Sequence, residues 1–120
     1  MRYLSIICLL FFPFAPAVNA GEANVVAAKV NQTQEQTYRF TVSVLHADTG
    51  WEHYADRWEV IGQNGDILDT RVLAHPHVNE QPFTRSLSGV KIPAGVHQVT
   101  IRAHDSIHEF GGTSMNINLD

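Results

Sequence analysis

The stretch Gln98-Val99-Thr100-Ile101-Arg102-Ala103 alternates polar and apolar side chains without a break. Successive side chains of a β-strand point to opposite faces, so Val99, Ile101 and Ala103 belong to a core and Gln98, Thr100 and Arg102 to a surface. Tyr38, Phe40, Val42 and Val44 repeat the pattern against Arg39, Thr41 and Ser43, and His46 falls in the inward phase at the end of that run. Outward from these two strands the signals weaken but keep their type. Val25, Val26 and Val30 give a first strand, with the polar Asn31 to Gln36 as its turn. Trp58 to Gly62 and Ile67 to Leu73 flank Asn64-Gly65-Asp66, a tight-turn signal that makes them a hairpin. Phe83, Arg85 and Leu87 begin a strand after Pro82, and Met115, Ile117 and Leu119 alternate in the last one. A single segment changes period: Trp51, Tyr54, Ala55 and Trp58 recur at three and four, and Thr49 with Glu52 makes a capping-box pattern, so a short helical turn is expected near residues 49–57. Seven short strands with no long helix predict an all-β fold, a single seven-stranded sandwich of immunoglobulin or fibronectin III-like kind, with Trp58 in its core.

The N-terminus bounds the rest. One positive charge at Arg2, an apolar block from Tyr3 to Phe14, and small residues at Val18 and Ala20 read as a secretory signal peptide over residues 1–20, cleaved before Gly21. The expected product is one domain, residues 21–120, in the periplasm or secreted, with no membrane attachment after cleavage. Cys8 lies inside the leader, so disulfides, thiolate metal sites and cysteine nucleophiles are excluded from the mature domain. Without Arg2, seven Lys and Arg face twelve Asp and Glu, a net charge of −5 that makes nucleic acid and anionic membranes poor partners.

Between the strands lies Ala74-His75-Pro76-His77-Val78-Asn79-Glu80-Gln81-Pro82, a polar, proline-stiffened connection that is long for a hairpin. In a seven-stranded sandwich of the expected topology the second-to-third, fourth-to-fifth and sixth-to-seventh connections share one end. His46 and His53 belong to the first, His75 and His77 to the second, and His104 and His108 to the third; His97 alone sits at the opposite end. Imidazole is the commonest protein ligand for zinc and copper, and a domain free of cysteine offers only nitrogen and oxygen donors. The expectation is therefore a divalent transition metal, copper or zinc, held by a subset of these six. His75 and His77 rank first, because an H-x-H pair on extended backbone puts both rings on one face; in polyproline geometry they diverge. His46, His104 and His108 follow, then His53. Asp105 and Glu109 could add a carboxylate or orient a ligand.

Two alternatives use the same loops. The histidines with Asp48, Glu52, Asp56, Asp105 and Glu109 could simply tie three loops together by hydrogen bonds. Trp51, Tyr54, Phe83 and Phe110 could instead form a platform for a protein, peptide or sugar partner, making the chain an adaptor or binding module. An enzyme is not expected: no nucleophile elbow, no HExxH helix and no phosphate-binding glycine loop is present, and Gly111-Gly112 reads as a turn.

The strings Thr49-Gly50-Trp51-Glu52-His53-Tyr54-Ala55-Asp56-Arg57-Trp58, His75-Pro76-His77-Val78-Asn79-Glu80-Gln81-Pro82-Phe83-Thr84-Arg85 and His104-Asp105-Ser106-Ile107-His108-Glu109-Phe110-Gly111-Gly112 resemble those of a family of small exported bacterial proteins of uncharacterised function. The resemblance implies an exported β-sandwich and no activity. Periplasmic copper carriers of β-sandwich type are similar in export and histidine content, but their methionine-rich motifs are missing here, where Met115 alone remains after processing.

Overall fold

The computed structural model describes residues 21–120; the expected leader, Cys8 included, lies outside the described residues. Seven strands form in chain order: β1 (Asn24–Gln34), β2 (Thr37–Leu45), β3 (Ala55–Ile61), β4 (Ile67–Val72), β5 (Phe83–Lys91), β6 (Gln98–Asp105) and β7 (Met115–Asn118). They make two antiparallel sheets, one ordered β1-β2-β5 and the other β4-β3-β6-β7.

The two alternating runs do what their period dictates. Phe40, Val42 and Val44 of β2 face Trp58 and Val60 of β3 and Val99 and Ile101 of β6 in one core cluster that joins both sheets, each no more than 1% exposed. The result is a sandwich-like all-β fold. Truncating a residue so placed, Phe40→Ala for instance, removes about 3–5 kcal/mol of stability. The hairpin across Asn64-Gly65-Asp66 forms as its turn residues require, with Gly65 at a φ of 88° and Gly62 N–H bonded to Asp66 O at 2.8 Å.

Three local expectations change. The helical turn near 49–57 does not form, and no helix is present among the described residues. Instead Gly50, at a φ of 151°, bridges His53 in a tight reversal, and β3 begins at Ala55. Thr49 Oγ1 still donates to Glu52 Oε1 at 3.4 Å, so the capping-box residues meet without a helix behind them. The polar Asn31 to Gln36 is mostly strand, because the β1–β2 ladder continues to the pair Gln34↔Thr37 and the reversal is compressed into Glu35 and Gln36. His104 belongs to β6, not to the loop after it.

Gly112 is needed for space more than for turning. A β-carbon there would lie 2.0 Å from the carbonyl oxygen of Ala23, so the 106–114 connection and the segment before β1 touch backbone to backbone. Val25 N–H donates to Thr113 O and Thr113 N–H to Asn24 Oδ1, both at 2.8 Å. These contacts pin Gly21 to Asn24 against the loop end of the sandwich.

Candidate metal centre

The inward phase of the two central strands runs one step beyond the apolar core. In β2 the series Phe40, Val42, Val44 continues to His46, and in β6 the series Val99, Ile101, Ala103 continues to Asp105. The last layer of the core is thus a buried imidazole facing a buried carboxylate, 1% and 0% exposed, with His46 Nε2 2.7 Å from Asp105 Oδ2.

The Gly50–His53 reversal turns a second imidazole onto the same oxygen. His53 Nε2 lies 2.5 Å from Asp105 Oδ2. Gly21 closes the ring: its carbonyl oxygen is 3.3 Å from His46 Nε2 and 3.2 Å from His53 Nε2. One donor atom from each of His46, His53 and Asp105 lies within 4.8 Å of the others, and among the described residues this is the one group of three or more histidine or acid side chains so gathered. His108 stands at its rim, 43% exposed, with Nδ1 3.3 Å from Asp105 Oδ1 and its ring centroid 5.1 Å from that of His53.

Two carboxylates hold this arrangement. Asp105 Oδ1 accepts the backbone N–H of Ile107 at 2.9 Å and that of His108, leaving Oδ2 to the imidazoles. Asp48, buried to 0% of its side chain, accepts from His46 Nδ1 and from Ala55 N–H through Oδ1, and from His77 N–H at 2.6 Å through Oδ2. A carboxylate on Nδ1 fixes the ring and leaves Nε2 to face the other ligands, the outer-partner arrangement that metal-bound histidines use. Gln81 adds a brace, accepting His46 N–H at 2.9 Å and donating to His77 O at 3.0 Å.

The titration behaviour follows the geometry. Burial, the largest single influence on His46, opposes its charge, but the hydrogen bonds and charges of Asp48 and Asp105 together outweigh it and raise its pKa. For Asp105 burial again opposes the charge, and the His108 N–H, His46, the Ile107 N–H and His53 overcome it, holding the carboxyl down at about 2. Burial likewise opposes ionisation of Asp48, yet His46 and the N–H groups of His77 and Ala55 lower its pKa. The shifts favour the charged forms of His46, Asp48 and Asp105 together; toward a metal, Nε2 of two imidazoles and Oδ2 of Asp105 could offer two nitrogens and an oxygen to one ion.

The six histidines proposed from sequence do not form one cluster. His46, His53 and His108 meet at Asp105. His75 and His77 form a separate pair, ring centroids 4.7 Å apart, with His77 stacked on Phe83 at 4.1 Å and both its ring nitrogens buried without a partner. Burial first, then the charges of Arg85 and His75, lower the His77 pKa and disfavour the charged ring. His104 points to the outer face of the β4-β3-β6-β7 sheet, where Nδ1 is 2.6 Å from Asp56 Oδ1 and Arg57 and Arg102 flank Phe110. His97 pairs with Asp120 at the far end, at 3.0 Å. Asp48 and the Gly21 carbonyl were absent from the sequence-derived ligand set, and Asp105 entered it only as an added carboxylate or an orienting group. For Asp105 the signal was there: extending the period of Val99, Ile101 and Ala103 by one step points Asp105 inward and His104 outward. Of the aromatic residues, Phe83 is core at 1% exposure, whereas Trp51 is 66% exposed with its ring centroid 5.6 Å from that of Tyr54.

No family model matches the chain, and no solved structure matches it. One curated relative, described as "Putative lipoprotein" from Halomicrobium mukohataei, is 37% identical over 99 residues, which cover 82% of this chain and 48% of the relative. The chain therefore spans about half the length of the relative it matches.

Proposed function

We propose that this chain is an exported, non-enzymatic protein whose sandwich end binds a divalent transition metal, copper or zinc, through His46, His53 and Asp105, with His108 at the rim. The observation that carries the reading is the convergence of His46 Nε2 and His53 Nε2 on one oxygen of Asp105. The signal-peptide pattern at residues 1–20 supports export, as does similarity to a relative described as a lipoprotein. The strand orders β1-β2-β5 and β4-β3-β6-β7 support a fibronectin III-like assignment, since the fourth strand pairs with the third. Residues 21–120, made without a histidine tag, should bind one equivalent of copper(II) or zinc by calorimetry and elemental analysis. His53→Ala, at a side chain only partly buried, should abolish that binding with the fold intact. Binding unchanged in His53→Ala but lost in the His75→Ala/His77→Ala double variant would move the site to the other pair and overturn the assignment.

A second reading rests on the exposed Trp51 beside Tyr54. An aromatic pair at the loop end is a platform for a peptide or sugar. On that reading Trp51→Ala loses partner capture at unchanged melting temperature, and chelators have no effect.

A further inference from the structure

Gly21 is the residue that the leader reading makes the mature N-terminus, and its carbonyl oxygen already lies against both His46 Nε2 and His53 Nε2, at 3.3 and 3.2 Å. Its other side is equally constrained. A β-carbon at Gly21 would come within 2.4 Å of His108 Cε1 and 2.7 Å of both His108 ring nitrogens, so the third imidazole rests directly on the glycine α-carbon. Any residue with a side chain would displace that ring. The backbone of Gly21 therefore lies against all three imidazoles, His46, His53 and His108, held there by the Gly112–Ala23 contact and the Thr113–Asn24 hydrogen bond.

The chemistry of its nitrogen depends on what precedes it. While Ala20 is attached, that nitrogen is a planar amide whose lone pair is delocalised into the carbonyl and is a poor metal donor. Hydrolysis of the Ala20–Gly21 bond consumes one water, leaves a carboxylate on Ala20 and turns the nitrogen into a primary amine whose lone pair is freed when a metal displaces its proton to solvent, on the same residue as a carbonyl oxygen already in place. Amine and carbonyl of one glycine form a five-membered chelate ring with a single ion.

We propose that the α-amine of Gly21, released by removal of the leader, is a ligand of the same centre, so that the site is completed by processing and becomes selective for copper(II). This rests on the metal reading above and deepens it. His46, His53 and the amine supply three nitrogens, and Asp105 with the Gly21 carbonyl supplies oxygen. A nitrogen-rich set of this kind favours copper(II), which stands at the top of the divalent affinity series and takes tetragonal nitrogen and oxygen donors. The precursor, with an amide in that position, has the weaker set. The metal is then taken up after export, where the leader is removed, and not during synthesis.

The test uses three forms of the same chain: residues 21–120 with a free Gly21 amine, the same chain acetylated at Gly21, and a chain that begins at Ala20. Each is titrated with copper(II) and with zinc, the copper forms are examined by electron paramagnetic resonance, and apo melting temperatures verify equal folding. The free-amine form should bind copper(II) more than about 100-fold more tightly than the other two, beyond the loss typical of an outer partner. Its spectrum should contain one more coordinated nitrogen. Equal affinity and equal nitrogen count in all three forms would overturn the amine as ligand while leaving the side-chain site standing. Absence of stoichiometric binding in all three would overturn the metal reading and this inference together.

Discussion

Replacing Asp48 tests whether the loop end is organised by a buried charge or by its apolar neighbours. The side chain is 0% exposed and its two oxygens serve three donors: His46 Nδ1–H and Ala55 N–H on Oδ1, and His77 N–H on Oδ2. Asp48→Asn keeps the shape but has one acceptor oxygen. Whichever way the amide turns, its NH2 faces at least one buried N–H, and His46 loses one of the two carboxylates that favour its charged form. A buried donor left without a partner costs about 1–3 kcal/mol, and removing one member of a buried ion pair about 3–5 kcal/mol. A loss of about 3 kcal/mol is therefore expected, a large share of the ~5–15 kcal/mol that a domain has. For a domain of this length that lowers the melting temperature by about 12 °C or more. Asp56→Asn is the control. Asp56 bears the same kind of contact to a histidine, His104, but at 24% exposure on a solvated face, where such pairs are worth about 0–1 kcal/mol. Thermal unfolding of residues 21–120 followed by circular dichroism at pH 7 reads both. If the two variants melt within about 2 °C of each other, the burial argument fails.

Acid should act on the same groups. The Asp105 carboxyl, at about 2 when folded, lies below its unfolded value of 3.8, so its stabilisation is complete above that value and disappears as pH falls toward 2, a loss of about 2 kcal/mol in a pH series of unfolding curves. Asp48 loses stabilisation in the same direction, whereas His46, with a raised pKa, contributes below pH 6.5 and loses its share as pH rises through its folded value. His77→Leu removes two buried ring nitrogens that have no partner, and should raise the melting temperature by several degrees, at about 1–3 kcal/mol for the relieved groups, while leaving metal affinity unchanged in the same titration. Gly112→Ala forces a β-carbon toward the Ala23 carbonyl and should cost about 1–3 kcal/mol; because Gly21 is held by that contact, metal affinity measured by calorimetry should fall with it.

The strands were legible because burial on one face writes a period of two into the chain, and β2 and β6, the inner partners of their sheets, carry it most cleanly. β1 was underestimated for the converse reason. It is an edge strand whose distal half is mostly exposed, so its pairing with β2 leaves little apolar trace. The segment at 49–57 misled because Trp51, Tyr54, Ala55 and Trp58 match a helical period by accident: Ala55 and Trp58 are core residues of β3 separated by an irregular register, and Trp51 is exposed. For the site, histidine count drew attention to the right end of the sandwich, but count carries no direction. Phase does, and it separates His46 and Asp105, which end inward-facing runs, from His104, which faces the outer surface. Asp48 was read only as one of five acids that could tie the loops together, not as the brace of His46. Its role depends on two loops, the second-to-third and fourth-to-fifth, meeting at one carboxylate, which no local pattern encodes.

A loop staple and a metal centre make different demands on the same atoms. Tying loops together requires partners for donors, and a carboxylate oxygen with two lone pairs can take two of them, as Asp48 Oδ1 and Asp105 Oδ1 both do; a metal centre requires instead that lone pairs of several side chains converge on one point. Burying an imidazole and two carboxylates is also an expensive way to join loops, since a well-packed apolar cluster often stabilises as much or more. His46 Nε2, His53 Nε2 and Asp105 Oδ2 would offer three lone pairs to a divalent ion, which would take the place of the N–H protons there. The exposure of the three imidazoles is graded in the same sense: none of the His46 side chain, 14% of His53 and 43% of His108 is open to solvent. On the metal reading, an inner ligand braced by Asp48, a second on a short reversal and a third at the rim would let an ion exchange water for fixed donors from the rim inward.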